Sequence, residues 1–106
     1  MGQVRPISEA EFTVQVIALA QLHRWLVTHF RPGRTAGGWR TAVSGDGKGF
    51  PDLVLVRRRV LWVELKTGRG KATPEQERWL DSLRQAGQEV YLWKPLAWEE
   101  IKKILE

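Results

Sequence analysis

Two acidic residues and a lysine stand at the ends of two apolar stretches in the middle of the chain. Asp52 precedes the run LVLV, and Glu64 and Lys66 lie at the end of VLWVELK. Two carboxylates that approach each other repel, and the positive charge of a divalent cation offsets this repulsion. Mg²⁺ suits such a site because it prefers oxygen ligands and keeps coordination positions for water and phosphate oxygens. A neighbouring lysine can position or deprotonate an attacking water. These residue types together indicate metal-assisted hydrolysis of a phosphodiester.

The two apolar stretches predict a β-hairpin that brings these side chains together. Both are rich in strand-forming residues, and only the three arginines at 57–59 separate them, which favours antiparallel pairing. If the turn is centred on Arg58, the numbers of paired residues sum to 116, and Asp52 lies opposite Glu64. Alternation along the strand then places Lys66 on the same face as Glu64.

Each member of this set also has an ordinary structural explanation. Glu64 with Lys66 is typical of an exposed ion pair, which contributes little to stability, and Asp52 after Pro51 is typical of a turn. The coincidence of all three at one end of a hairpin, next to the excess positive charge of the chain, favours a functional site.

The positive charge of the chain is concentrated in one segment. The chain of 106 residues has 17 Lys and Arg against 12 Asp and Glu, a net charge of +5, and the seven basic and two acidic residues of segment 31–59 account for the whole excess. This segment is also rich in glycine, as expected of loops near a polyanion. A nucleic-acid partner is therefore the leading hypothesis, and the alternative is a solvated basic face that aids solubility.

The composition limits the class of protein. The length predicts one domain, residues 1–106. The absence of cysteine excludes disulfides, thiolate zinc sites and a cysteine nucleophile, and it favours a reducing compartment. No apolar run approaches the roughly 20 residues that span a bilayer, and the first residues lack a signal-peptide pattern. The sequence therefore predicts a cytoplasmic protein without a membrane partner.

Capping signals and apolar periodicity predict a small α/β fold. Ser8 with Glu11 precedes a helix from residue 9 to about 25, and Thr73 with Gln76 precedes a helix over 74–86. Strands are predicted at 25–30, 52–56, 60–66 and 89–93, a long basic loop at 31–49, and an amphipathic helix at 97–106. This order predicts a small mixed sheet flanked by helices, in which the last strand is parallel to 60–66 through a right-handed crossover.

These residues carry a family resemblance. PD at 51–52 and ELK at 64–66 resemble the PD-(D/E)XK nuclease motif. The surrounding SEAEF, GFPDLVLVR and VELKTGRGKATPEQERWLDSLRQAGQEVYLWKP resemble the VRR-NUC branch of that superfamily over nearly the whole chain. The resemblance implies a restriction-endonuclease-like core and Mg²⁺- or Mn²⁺-dependent cleavage of DNA, with Asp52 and Glu64 as metal ligands and Lys66 at the nucleophilic water.

The resemblance further implies an acidic residue on the first helix and a glutamine on the helix after the ELK strand. Glu9 and Glu11 are both candidates for the acidic residue. Glu11 belongs to the capping box with Ser8, whereas Glu9 lies on the helix stripe that faces the sheet. We therefore favour Glu9 as the third metal ligand. The alternative for Glu9 is stabilisation of the helix N-terminus. Gln76 matches the glutamine, and its capping box with Thr73 is a rival role of similar weight.

Further residues in the basic loop or beside the proposed site are candidate nucleic-acid contacts. Trp39 differs from most of the six tryptophans, which are assigned to the core, because it lies in the glycine-rich loop, where base stacking and local packing are equally suitable roles. The candidates are Arg34, Trp39, Arg40, Lys48, Arg69 and Lys71. The arginines at 57–59 lie at the opposite end of the hairpin, and we expect them to hold a distant backbone or a partner subunit.

The sequence as a whole predicts a divalent-metal-dependent, structure-selective DNA endonuclease, with branched or Holliday-type junctions as candidate substrates. A minimal chain without a recognition domain offers one active site, and similar phage and bacterial proteins suggest a homodimer that presents two. The expected location is the cytoplasm of a bacterial or phage-infected cell. The alternatives are a non-catalytic nucleic-acid-binding module and an accessory subunit with the same fold.

Overall fold

Three α-helices and six strands make up the part of the chain that the computed structural model describes. It describes residues 5–30 and 44–106 and, between them, only the backbone of two short strands. The elements are α1 (Glu9–Leu22), β1 (Leu26–His29), β2 (Gly33–Thr35), β3 (Gly38–Arg40), β4 (Leu53–Val56), β5 (Val60–Leu65), α2 (Pro74–Gln85), β6 (Glu89–Trp93), a 3₁₀ turn (Pro95–Ala97) and α3 (Trp98–Leu105). No helix within these residues is long and apolar enough to cross a bilayer.

Four of the strands form one mixed sheet in the order β1-β4-β5-β6. β4 is antiparallel to β5 and β6 is parallel to β5, as the sequence predicts, and β1 is antiparallel to β4 on its other side. The prediction of a continuous loop over 31–49 is wrong in part, because β2 and β3 pair there as a separate two-stranded sheet. These three-residue strands contain glycine and show no sustained alternation, so they carry no strand signal.

The register of the β4–β5 hairpin matches the predicted one. Leu53 pairs with Val63, and Val56 pairs with Val60, so the turn is centred on Arg58. One step beyond the Leu53 pair, the chain reaches Asp52 on one side and Glu64 on the other. The hairpin therefore brings the two acids to the same end of the sheet.

A continuous apolar core anchors this hairpin. Alternate residues of β4 and β5 pack with the buried faces of α1 and α3. Its fully buried members are Phe12, Val16, Ala20, Leu53, Leu55, Leu61, Val63, Leu65, Ile101 and Leu105. Burying each large aliphatic side chain contributes about 1.5–3 kcal/mol, so the core fixes the strand ends that carry the acids.

Helix α2 provides the crossover from β5 to β6. It begins with the predicted capping box, in which Thr73 and Gln76 exchange side-chain and backbone hydrogen bonds, and with Pro74 in its first turn. Leu80 is its buried residue, and Gly87, at φ +81°, follows its end. Because the crossover is parallel, the N-terminus of α2 lies near the carboxyl end of β5.

The arginine end of the hairpin binds the C-terminal helix. Arg57 donates hydrogen bonds to the carbonyl oxygens of His23 and Glu106, both at 2.8 Å, and its guanidinium lies 4.7 Å from the centre of the Trp25 ring. Arg59 forms an ion pair with Glu89 at 3.0 Å. Arg57 therefore holds backbone groups that are distant in sequence but belong to the same chain, and a contact of these arginines with a partner subunit stays a prediction.

Candidate active site

Asp52 is held in place by backbone groups of both neighbouring strands. Its carbonyl oxygen accepts a hydrogen bond from the Phe30 N–H, and its carboxylate oxygen Oδ2 accepts one from the Leu65 N–H, both at 2.8 Å. The second bond spans the hairpin, so the Asp52 side chain is directed towards the carboxyl end of β5. This geometry places a carboxylate beside Glu64.

Glu64 is fully buried, and no described group donates a hydrogen bond to either of its carboxylate oxygens. Burial of an unpaired carboxylate is costly, and native proteins rarely leave such atoms without partners. The pKa of Glu64 is raised to about 9, chiefly by burial and further by the neighbouring Asp52 carboxyl group. Glu9 adds to this rise and Lys66 opposes it, so both lie close enough for their charges to act on Glu64.

The donor set of this site fits a hard divalent cation. An unpartnered buried carboxylate next to a second, backbone-oriented carboxylate provides oxygen ligands, which Mg²⁺ and Mn²⁺ prefer. Among the described residues, no three His, Asp or Glu side chains form a metal-binding group. The residues that could hold an ion are therefore Asp52 and Glu64, and two carboxylates suffice for Mg²⁺, which keeps several waters. The role of Glu9 as a third ligand stays a prediction.

Lys66 extends the strand pairing one residue beyond β5. Its N–H donates to the Trp93 carbonyl oxygen at 3.0 Å, and its side chain is half-buried. The side-chain stem lies beside Gly70, where an added Cβ would stand 3.7 Å from the Lys66 Cδ. Its positive charge lowers the pKa of Glu64, so the ammonium group is near enough for its charge to act on that acid, and its role at the attacking water stays a prediction.

The two acidic residues at the start of α1, Glu9 and Glu11, have different surroundings. Glu11 accepts hydrogen bonds from both terminal nitrogens of Arg5, at 2.8 and 2.7 Å, and one from the Ser8 N–H at 3.2 Å. The Arg5 hydrogen bonds are the main reason why the pKa of Glu11 is lowered to about 2. Glu9 is exposed, and its charge reaches Glu64. Glu11 is therefore engaged in capping and ion pairing, and Glu9 as the helix acid of the site stays a prediction.

Gln76 is engaged in the capping box, since its Oε1 accepts a hydrogen bond from the Thr73 N–H at 2.9 Å. The capping role is therefore present, and the role of Gln76 at the metal site stays a prediction.

The sequence prediction missed Gly49, whose backbone packs against the first turn of α2. A Cβ at Gly49 would lie 2.5 Å from the Glu75 carbonyl carbon, and its φ is +85°, so only glycine fits there. A glycine three residues before the acid was the available signal.

The candidate nucleic-acid contacts divide into two groups. Lys48, Arg69 and Lys71 are exposed, in the loop before Asp52 and in the connection after Lys66. The side chains of Arg34, Trp39 and Arg40, on β2 and β3, lie outside the described part of the chain.

Lys94 is a basic residue beside the site that the sequence prediction missed. Its Nζ donates to the Gly68 carbonyl oxygen at 3.1 Å, which ties it to the loop after Lys66. Leu65 pairs with Trp93. The next residues of these parallel strands, Lys66 and Lys94, therefore follow the strands at the same end of the sheet. The parallel register was the signal that could have identified Lys94.

Comparisons with known proteins agree with this fold and identify its family. The family model of the VRR-NUC domain matches residues 13–94, a segment that includes Asp52, Glu64 and Lys66. Among solved structures, a protein described as "VRR_NUC domain protein" superposes with a TM-score of 0.62 at 18% sequence identity, covering 96% of this chain and 88% of that chain. No curated protein matches. The chain belongs to the VRR-NUC family and therefore carries a nuclease-type domain.

Proposed function

We propose that the chain is a divalent-metal-dependent DNA endonuclease that hydrolyses phosphodiester bonds at Asp52, Glu64 and Lys66. The observation that carries the proposal is the buried Glu64 carboxylate, which has no described hydrogen-bond donor and lies beside Asp52. A fold retains such a costly group when it has a task that a satisfied side chain cannot perform. In a nuclease-type domain, that task is to bind the ion used in phosphate chemistry.

Asp52 and Glu64 would hold Mg²⁺ or Mn²⁺. The chemistry supplied by such an ion is neutralisation of negative charge on phosphate oxygens and a lower pKa for a bound water. The hydrogen bond from the Leu65 N–H fixes the direction of the Asp52 carboxylate before substrate binds. Because the raised pKa keeps Glu64 protonated at neutral pH, ion binding requires Glu64 to release a proton.

Lys66 acts on the attacking water or on the phosphate. The strand contact to Trp93 fixes its backbone, its side chain is half-buried, and its charge acts on Glu64. An ammonium group in this place orients a water molecule by hydrogen bonding and stabilises negative charge on the phosphate.

DNA is the proposed substrate because exposed basic side chains precede and follow the acidic residues along the chain. Lys48 comes before Asp52, and Arg69 and Lys71 follow Lys66. Such groups contact phosphates and position DNA without reading its sequence. We also propose selectivity for branched DNA and a homodimer in the bacterial or phage-infected cytoplasm, because one chain offers one site whereas a junction presents two strands to cut.

The test is a cleavage assay on duplex, flap, single-stranded and four-way-junction DNA, with Mg²⁺, Mn²⁺ or EDTA. We expect cutting in either metal and none in EDTA. Asp52→Ala and Lys66→Ala should lose cutting but retain DNA binding. Their matched controls, Glu106→Ala and Lys103→Ala, change exposed residues at the C-terminal end of the chain, where Glu106 lies beside Arg57 at the opposite end of the hairpin, and should cut like the wild type. Wild-type protein that binds DNA but cuts none of these substrates in either metal would instead be a non-catalytic module.

A further inference from the structure

A cavity lies between the loop at 44–48 and one side of α2. Its volume is about 320 Å³, and its lining includes Gly45, Asp46, Lys48, Arg78, Trp79 and Ser82. This volume is at the lower end of the roughly 300–1,000 Å³ that ligand pockets occupy. It suits a single nucleobase with its sugar, whereas a duplex is far too large for it.

The indole ring of Trp79 is fixed in the wall of this cavity. Its Nε1 donates a hydrogen bond to the Asp46 carbonyl oxygen at 2.8 Å, and its ring packs against Phe50 with the ring centres 5.0 Å apart. Because the only polar hydrogen of the indole is already used, the ring offers the cavity an aromatic surface and no donor. Such a surface binds any base by stacking, with little dependence on base identity.

Two cations stand at the edge of the cavity in weak ion pairs. The Lys48 Nζ lies 3.5 Å from a Glu75 oxygen, and the Arg78 Nη1 lies 3.9 Å from an Asp46 oxygen. The lysine and arginine side chains are 84% and 75% exposed, and exposed pairs contribute little to stability. Both cations can therefore exchange their carboxylate partners for the phosphates that flank a bound base.

The cavity is close to the candidate active site along the chain. Lys48 lines it, and Asp52 follows four residues later, so at most about 14 Å of extended chain separates their Cα atoms. The contact between Gly49 and the first turn of α2 holds this connection against the helix. A DNA strand spans that distance with about four nucleotides at 3.4 Å each.

We propose that this cavity receives one unpaired base of the DNA substrate, stacked on Trp79, within about four nucleotides of the cleaved phosphate. Only a base outside a duplex presents its face to the indole, so the cavity favours strands that are unpaired next to the cut. The inference rests on the proposed DNA cleavage and adds to it a physical source of structure selectivity.

The experiment measures base stacking separately from cutting. DNA flaps that carry the fluorescent base 2-aminopurine at successive unpaired positions are titrated with the Lys66→Ala protein, so that the DNA stays intact. We expect quenching on binding at one position. Adding Ser82→Trp, which fills the cavity, should abolish the quenching and weaken binding by about 5- to 150-fold, the range for loss of one stacked base. The matched control is Gln85→Trp, which adds the same side chain at an exposed position outside the cavity lining on the same helix.

The outcomes distinguish the cavity from the catalytic proposal. Absence of a quenched position, or quenching that survives Ser82→Trp in a protein with an unchanged circular dichroism spectrum, overturns the base pocket even if the wild type cuts DNA. Position-specific quenching that Ser82→Trp abolishes and Gln85→Trp preserves supports the pocket, even if the wild type fails to cut with Mg²⁺ or Mn²⁺. Absence of DNA binding overturns both proposals.

Discussion

The two ends of the β4–β5 hairpin differ in whether their ionisable side chains have hydrogen-bond or ion-pair partners. At the turn, Arg57 donates hydrogen bonds to two carbonyl oxygens, and Arg59 pairs with Glu89. At the strand ends, Glu64 is fully buried and has no described donor for either oxygen. A satisfied charge is explained by the fold that satisfies it, whereas a buried and unsatisfied one requires a ligand or a reaction. This contrast is why we assign stability to the arginine end and chemistry to the acidic end.

The largest expected effect distinguishes the two ends by activity. Glu64→Gln should lower the single-turnover rate of DNA cleavage by about 10³-fold or more, because the site loses an anionic ligand. Arg59→Ala, at the other end, should keep the rate within a few-fold of the wild type. Comparable losses of cleavage rate in both variants would contradict the assignment of chemistry to the acidic end alone.

The second effect concerns stability without metal. The pKa of Glu64 is raised from 4.5 to about 9 in the folded protein, so the folded state binds a proton that the unfolded state has released between these values. The free energy of unfolding should therefore fall as pH rises through that window, by up to about 1.4 kcal/mol per pH unit. Urea unfolding in EDTA from pH 5 to 9 measures this slope. Glu64→Gln should remove this contribution, and identical slopes in both proteins would contradict the raised pKa.

The third effect concerns the scaffold of the acidic end. Gly49→Ala should lower the free energy of unfolding by about 2–4 kcal/mol, because the new Cβ would meet the α2 backbone and the residue has a positive φ. Gly45→Ala is the matched control, since Gly45 has φ +66° but open space around the added Cβ. It should cost only about 1–2 kcal/mol, the steric cost of the left-handed conformation. Equal losses would show that the close approach to α2 contributes nothing.

The smallest effect concerns the arginine end. Arg57→Ala should lower the free energy of unfolding by about 1–2 kcal/mol through lost hydrogen bonds to His23 and Glu106 and lost contact with Trp25, with little change in cleavage. Arg58→Ala changes an exposed arginine at the same turn and should cost less than about 0.5 kcal/mol. Chemical denaturation of both variants measures the difference. A strong loss of cleavage in Arg57→Ala at unchanged stability would reverse our assignment.

Local signals predicted the parts of this molecule that local physics determines. The capping boxes of α1 and α2 follow from residues three positions apart, and the hairpin register follows from a three-residue turn. This register alone was enough to place Asp52 near Glu64. The predicted helix over 74–86 and the turn at Gly87 gave the parallel strand β6, since a helix between two strands allows a crossover of the preferred hand.

Contacts between residues that are far apart in sequence could not be predicted from these local signals. The partners of Arg57 include Glu106, which is 49 residues away in sequence, and Gly49 meets Glu75 across a loop and a strand pair. The burial of Glu64 likewise depends on packing around the whole end of the sheet, so the sequence predicted repulsion between two acids but not which one takes the proton. Tertiary packing decides all three features, and no short segment contains that information.

Proton release on metal binding tests the central claim most directly. Mn²⁺ is titrated calorimetrically into the wild type and Glu64→Gln at pH 7, in buffers with different heats of ionisation. If Asp52 and Glu64 form the metal site, the wild type should release about one proton per ion, because the Glu64 pKa of about 9 leaves it protonated before the ion binds. Glu64→Gln should bind more weakly and release none. Equal affinity and equal proton release in the two proteins would contradict a metal site at Glu64.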